Sequence, residues 1–188
     1  MEGLETEFGE GRVGFVTIVG RPNVGKSTLL NEVLSYHLTA VSNRPNTTRK
    51  RWLGILSDAH SQIIFADTPG VHSAGSRMQE AMARTIRNEI ERNDAVLCLC
   101  DATRAFGEED RRVAEIVREG GKPVVLAVNK LDAASESQAR EIADEYRAVL
   151  GENPVFNISA LKSEGVSPLL DYIRQMLPRG LSSTRAIS

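Results

Sequence analysis

Gly20-Arg21-Pro22-Asn23-Val24-Gly25-Lys26-Ser27 constrains this 188-residue chain more than any other stretch. It fits G-x-x-x-x-G-K-[ST], a loop that cradles phosphate with backbone N–H groups. The apolar run Val13 to Val19 before it reads as a strand. Leu29, Leu30, Val33 and Leu34 after it read as one face of a helix. A phosphate needs that setting, because free N–H donors and the helix dipole meet at a helix N-terminus. Gly20 and Gly25 allow a tight turn and close approach. Lys26 brings positive charge to the outer phosphates, and the Ser27 hydroxyl can ligate magnesium. Thr28, next in the chain, is counted among the nucleotide-binding residues.

Asn129-Lys130-Leu131-Asp132 addresses which base accompanies the phosphates. It follows Pro123 to Val128, an apolar run of the kind seen in strands buried on both faces. Guanine presents N1–H and N2–H donors beside O6. A carboxylate at Asp132 can accept both, Asn129 can support N7 and the neighbouring loop, and the Lys130 stem can lie along the base. Asp67-Thr68-Pro69-Gly70 ends the run Ile63 to Ala66 and is similar to D-x-x-G. In that motif the aspartate holds magnesium through water and the glycine N–H meets the γ-phosphate. Ser159-Ala160-Leu161 follows Val155 to Ile158. It is similar to the loop whose backbone N–H, here that of Ala160, meets guanine O6.

Together these motifs resemble a P-loop GTPase domain, and within that class the chain looks most like the Era-type GTPases of bacterial ribosome assembly. Arg44-Pro45-Asn46-Thr47-Thr48-Arg49 resembles the first switch of that family, and Asp67 to His72 resembles the second. Lys50 after the arginine and Pro69 in the variable slot fit the Der and MnmE relatives less well. The resemblance covers about residues 12–178. It implies a GTP-hydrolysing switch in small-subunit ribosome assembly and 16S rRNA maturation. Magnesium would be held by Ser27, Asp67 and Thr48, with Thr48 favoured over its neighbour Thr47. The partner it implies is the ribosomal small subunit or rRNA, contacted by the full-length protein. Two alternatives stay open: a nucleotide-binding regulatory module with negligible hydrolysis, and one G domain of a Der- or MnmE-like multidomain GTPase.

The chain also departs from the resemblance. Era-type proteins carry a C-terminal RNA-binding KH domain with a GXXG loop. No such loop lies in Arg179 to Ser188, so RNA binding is not carried over to this chain. Arg44, Arg49, Lys50 and Arg51 form a basic cluster that could touch RNA, although a solvated, mobile switch loop is the favoured reading. Where other GTPases place a water-orienting glutamine, this chain has Val71, whose alkyl group orients nothing. The resemblance implies compensation by a potassium ion near the β- and γ-phosphates, coordinated by Asn23; bracing of the loop by Asn23 is the equal alternative. The catalytic set is then Lys26, Thr48, Gly70 and Asn23, with His72 a weaker candidate for positioning water.

Strand and helix patterns alternate along the chain. Strands are expected near 13–19, 50–57, 63–66, 95–100, 123–128 and 155–158, with 50–57 hairpinned onto 63–66 through Asp58-Ala59-His60. Helical stripes run through Met78, Met82, Ile86 and Ile90; Val113, Ile116 and Val117; Ile142, Ala143, Tyr146, Val149 and Leu150; and Leu169, Leu170, Ile173, Met176 and Leu177. Ser167-Pro168 reads as the start of the last helix and Leu177-Pro178 as its stop. The expected fold is a three-layer, Ras-like α/β domain, with a mostly parallel six-stranded sheet and helices on both faces. Its expected bounds are 12–178, flanked by a disordered leader, 1–11, and a disordered tail, 179–188.

Net charge is −2, so no global pull toward nucleic acid exists. No apolar run approaches the ~20 residues that span a bilayer, although peripheral membrane contact stays open. The leader holds four glutamates and no apolar core, unlike a signal peptide. Cys98 and Cys100, two apart on an apolar strand, read as reduced core thiols on one sheet face. The chain reads as cytoplasmic.

Overall fold

A computed structural model of the chain describes residues 11–36, 52–58, 61–66 and 76–180. The strands are β1 (Gly11–Val19), β2 (Trp52–Ser57), β3 (Ser61–Ala66), β4 (Ala95–Asp101), β5 (Val124–Asn129), β6 (Val155–Asn157) and β7 (Arg179–Gly180). The helices are α1 (Lys26–Tyr36), α2 (Ser76–Arg92), α3 (Glu108–Glu119), α4 (Glu136–Leu150) and α5 (Val166–Met176), with one 3-10 turn at Leu131–Ala133. The sheet order is β2-β3-β1-β4-β5-β6, and β7 pairs with β1. β1, β3, β4, β5 and β6 are parallel; β2 is antiparallel to β3. This is the three-layer sheet read from the sequence, and the second strand is the hairpin partner of the third.

The apolar runs read as buried strands because each face meets a different helix layer. In β4, Ala95, Leu97 and Leu99 pack with residues of α1 and α5, whereas Val96, Cys98 and Cys100 pack with residues of α2, α3 and α4. β5 alternates in the same way, with Val125 and Ala127 on the first side and Val124, Leu126 and Val128 on the second. A period of two with both faces covered leaves no polar position, which is why these strands read as continuous apolar runs. Cys98 and Cys100 share one face as expected, and both are free thiols. Burial pushes the Cys98 thiol up to about 12, with the Asp110 carboxylate adding to the effect.

The helical stripes fall where their spacing puts them wherever their side chains are described; those of Met78 and Met82 lie outside the described set. Ile86 and Ile90, Val113, Ile116 and Val117, and the five residues of the α4 stripe are buried. Ser135 caps α4: its Oγ accepts from Gln138 N (3.3 Å), and Gln138 Oε1 accepts from Ser135 N (2.9 Å), a reciprocal capping box.

Three boundaries differ from the sequence reading. α5 opens one residue before Ser167, at Val166, with Gly165 at the N-cap (φ 71°) and no side-chain cap. Pro168 is therefore the third helical residue, where a missing N–H still costs the helix no bond. Gly11, assigned to the leader, opens β1, and Arg179 and Gly180, assigned to the tail, pair with Arg12 and Gly11. The cause is Arg12, whose Nη1 donates to the Gln175 and Leu177 carbonyls at 2.8 and 2.6 Å. A guanidinium there satisfies C-terminal carbonyls of α5 and draws the following residues alongside β1. The sheet thus gains a seventh, two-residue strand beyond the six expected. Lys50 and Arg51, read as the start of the second strand, lie outside the described residues.

Candidate nucleotide-binding site

β1, β4, β5 and β6 point their carboxyl ends to one edge of the sheet, where α/β folds bind ligands. The segments after β1, β5 and β6 carry the three described motifs. At Gly20, a Cβ would press into the Leu99 carbonyl oxygen and stand 2.9 Å from Val24 Cγ2. Gly25 has φ +104°, and a Cβ there would strike Asn129 Nδ2. Only glycine fits both places. Leu29 N–H makes a helical bond to Gly25 O (2.9 Å), so the N–H groups of Ser27 and Thr28 precede that bond at the positive end of α1. Lys26 Nζ lies across the loop and donates to the carbonyls of Gly20 (2.6 Å) and Arg21 (3.0 Å). Pro22, Asn23 and Ser27 are exposed, and Val24 is buried.

Asn129 joins this loop to the segment after β6. It is 2% exposed; its Nδ2 donates to Val24 O (2.9 Å) and its Oδ1 accepts from Ala160 N (2.9 Å). One buried amide is thus bonded to the phosphate loop on one side and to the segment after β6 on the other. The Ala160 N–H, read as a guanine O6 donor, is here given to Asn129. Lys130 has φ 70°, and its Nζ donates to Asn23 O (2.7 Å) and to Asp101 Oδ2 (2.6 Å). Asp132 is exposed, and its Oδ1 accepts from the buried Ser159 hydroxyl (2.6 Å). That bond holds the carboxylate at the site edge. The Ser159 and Glu164 backbones exchange two hydrogen bonds (3.0 and 3.1 Å), closing the loop that displays Leu161 at 72% exposure.

Thr47, Thr48, Asp67, Gly70, Val71 and His72, and the basic cluster from Arg44 to Arg51, lie outside the described residues. The described site thus brings together Gly20 to Thr28, Asn129, Lys130, Asp132, Ser159, Ala160 and Leu161.

Two residues that the sequence reading passed over belong to the same edge. Asp101 ends β4, opposite Asn129 in register. Burial pushes its carboxyl up, but hydrogen bonds from Lys130 and Thr103 outweigh burial and hold it below its usual range. The signal was an aspartate ending an apolar strand, two before a threonine. Asp110 of α3 pairs with Arg21 of the phosphate loop (3.1 Å). No local pattern marks this pairing, because the two partners lie far apart in sequence.

The family model for the 50S ribosome-binding GTPase matches residues 15–130. GTPase Era of Thermotoga maritima is 42% identical over 169 residues, covering 89% of this chain and 56% of the relative. A crystal structure of an Aquifex aeolicus Era variant bound to GDP·AlF4− matches with TM-score 0.71 and 33% identity, covering 90% of this chain and 58% of the other. Era in complex with MgGDPNP and nucleotides 1506–1542 of 16S ribosomal RNA matches with TM-score 0.75 and 32% identity, covering 95% and 61%. The chain therefore spans little more than half the length of these relatives. With the phosphate loop, the guanine-type loop and the sheet order all in place, the chain belongs to the 50S ribosome-binding GTPase family and carries an Era-type G domain.

Proposed function

We propose that this chain is the nucleotide switch of a ribosome-assembly GTPase: it binds GTP, hydrolyses it to GDP and phosphate, and reports its state to the small subunit or 16S rRNA through the full-length protein. The observation that carries this is Asn129, one buried amide bonded to both the phosphate loop and the base-side loop. A site braced in that way takes a phosphate chain and a base at a fixed separation. The Era relatives solved with GDP·AlF4−, and with MgGDPNP and rRNA, support the same ligands.

Phosphoryl transfer needs positioning and charge stabilisation rather than covalent chemistry from the protein. Gly25 and the first turn of α1 supply N–H groups, and Lys26 supplies charge. Asp132 selects guanine by accepting two donors. Ser27 suits magnesium: it is an exposed hydroxyl at the start of α1, and with Thr48 and Asp67 it makes an all-oxygen donor set. When bound, that ion would neutralise charge on the outer phosphates. With Val71 in place of a glutamine, we assign a potassium site to Asn23, exposed in the loop with φ 65°. The chain acts in the cytoplasm; no described helix is long and apolar enough to cross a membrane.

Phosphate release from GTP and ATP tests the reading. GTP turnover should require magnesium and rise when potassium replaces sodium at constant ionic strength, which keeps screening equal. Asn23→Ala should remove the potassium response and leave GDP binding largely intact. Equal rates in both salts would reject the potassium role alone, while equal use of ATP and GTP would reject the guanine reading. Capture of small-subunit components by the full-length protein loaded with a GTP analogue tests the ribosomal part.

A further inference from the structure

Arg21 follows the first glycine of the phosphate loop, yet its side chain is turned away toward α3. Its Nη1 stands 3.1 Å from Asp110 Oδ2; the two side chains are 12% and 2% exposed. Asp110 takes donors from three elements. Gly107 N–H, before α3, donates to Oδ2 (3.0 Å), and the buried Tyr146 hydroxyl of α4 donates to Oδ1 (2.7 Å). Arg21 is the third. A helix cap alone requires one acceptor and no charge. Burying an ion pair contributes little net stability, because desolvation offsets attraction, so the fold has no need of one here. What the pair does fix is position. The Arg21 carbonyl accepts from Lys26 Nζ at 3.0 Å. The residue that Asp110 grips by its side chain is the one that orients the phosphate lysine by its backbone.

We infer that Asp110 is a positioning residue for the phosphate loop, acting through Arg21. The inference rests on the guanine-nucleotide reading of that loop. Asp110 lies outside the motifs that carry the nucleotide reading and ties the loop's first turn, through Arg21, to α3 and to the Tyr146 hydroxyl of α4.

The test is a cycle read by fluorescent GDP affinity and dissociation rate, with melting temperature measured alongside. Asp110→Asn keeps an acceptor for Gly107 and a partner for Tyr146 but removes the charge. It should weaken GDP binding about tenfold, as small displacements of positioning groups do. Arg21→Met should weaken it equally, and the double variant no further. Tyr146→Phe, which loses a hydrogen bond but no charge, should lower the melting temperature and leave affinity within about twofold. A folded Asp110→Asn with unchanged affinity overturns the inference. So does the same loss in the Arg21→Met background, or a loss reproduced by Tyr146→Phe. If Asp110→Asn does not fold, Arg21→Met decides: tenfold loss supports the role and unchanged affinity ends it. Wild type that fails to bind GDP overturns the nucleotide reading, and this inference with it; unchanged binding by Asp110→Asn overturns this inference alone.

Discussion

The phosphate loop and the base-side loop are held differently. The segment from Ser159 to Gly165 closes largely on itself, through the backbone exchange between Ser159 and Glu164 and the Lys162 N–H to Ser159 Oγ bond (3.2 Å), and is tied outward by Ala160 N–H to Asn129 and by the Ser163 hydroxyl to Glu32 of α1. The segment from Gly20 to Gly25 is held by side chains from far along the chain. Asn129 and Lys130 reach it across 105 and 107 residues, and Asp110 pairs with its Arg21. A loop that closes locally keeps its shape when distant elements change. A loop held from outside takes its shape from the rest of the fold. Nucleotide grip should therefore be sensitive to residues far from phosphate, whereas base choice should depend on few residues beside the base.

The largest effect is expected at Lys26. Lys26→Ala removes the loop's ammonium and its bonds to Gly20 and Arg21, and turnover should fall about a thousandfold. Steady-state phosphate release checks this, and a rate equal to wild type would dismiss the phosphate reading. Next is Asp132→Asn, which exchanges a double acceptor for an amide. GTP should lose about 2–4 kcal/mol of binding, because its donors then face a mismatched group, while xanthosine triphosphate should gain. Competition with both nucleotides reads the switch; if neither affinity moves, Asp132 does not read the base. The melting temperature should hardly change, since Asp132 is exposed. Asn129→Ala sharpens the contrast because this residue serves both loops. It orphans the Val24 carbonyl and the Ala160 N–H, costing about 2–3 kcal/mol of stability. GTP and xanthosine triphosphate should weaken by the same factor. A selective loss of one would show that Asn129 reads the base instead of bracing the loops.

The same contrast explains what the sequence discloses. Gly20, Gly25, Lys26, Asn129 and Asp132 are legible because their chemistry demands residue types at fixed local spacing. The sheet is legible because strands buried on both faces have no polar position, and β4 and β5 follow that rule up to their last residues, Asp101 and Asn129, which belong to the site. Asp101 and Asp110 are not legible in this way. Each is an ordinary aspartate whose meaning comes from a partner, Lys130 or Arg21, supplied by another strand or loop. Tyr146 reads correctly as core, but its hydroxyl bond to Asp110 leaves no trace in an apolar stripe. The strand β7 escapes for a similar reason: Arg12 creates it by capping a helix at the other end of the chain.

The smallest expected effect tests the external bracing by pH. Asp101 has its carboxyl held below the usual 3.8, against the upward push of burial, by hydrogen bonds from Lys130 and Thr103. A carboxyl whose folded value is depressed binds fewer protons in the folded state than in the unfolded one. Its contribution is therefore complete above the unfolded value and is lost as pH falls from there through the folded value. Asp101→Asn should be less stable than wild type by on the order of 1 kcal/mol at neutral pH. That difference should hold down to about pH 5 and shrink below pH 4. Urea midpoints from pH 2 to 7 for the two proteins give the difference directly. Repeating the series with Lys130→Met should flatten it, because the carboxylate then loses the donor that most lowers it. The same ammonium holds Asn23 O, so GDP should dissociate faster from Lys130→Met at every pH. A wild-type advantage that stays constant through the acid range would mean that the ionised carboxylate contributes nothing, and one that survives with its acid fall-off in the Lys130→Met background would mean that Asp101 stabilises the end of β4 through Thr103 alone. The phosphate loop would then have one external brace fewer than the geometry assigns to it.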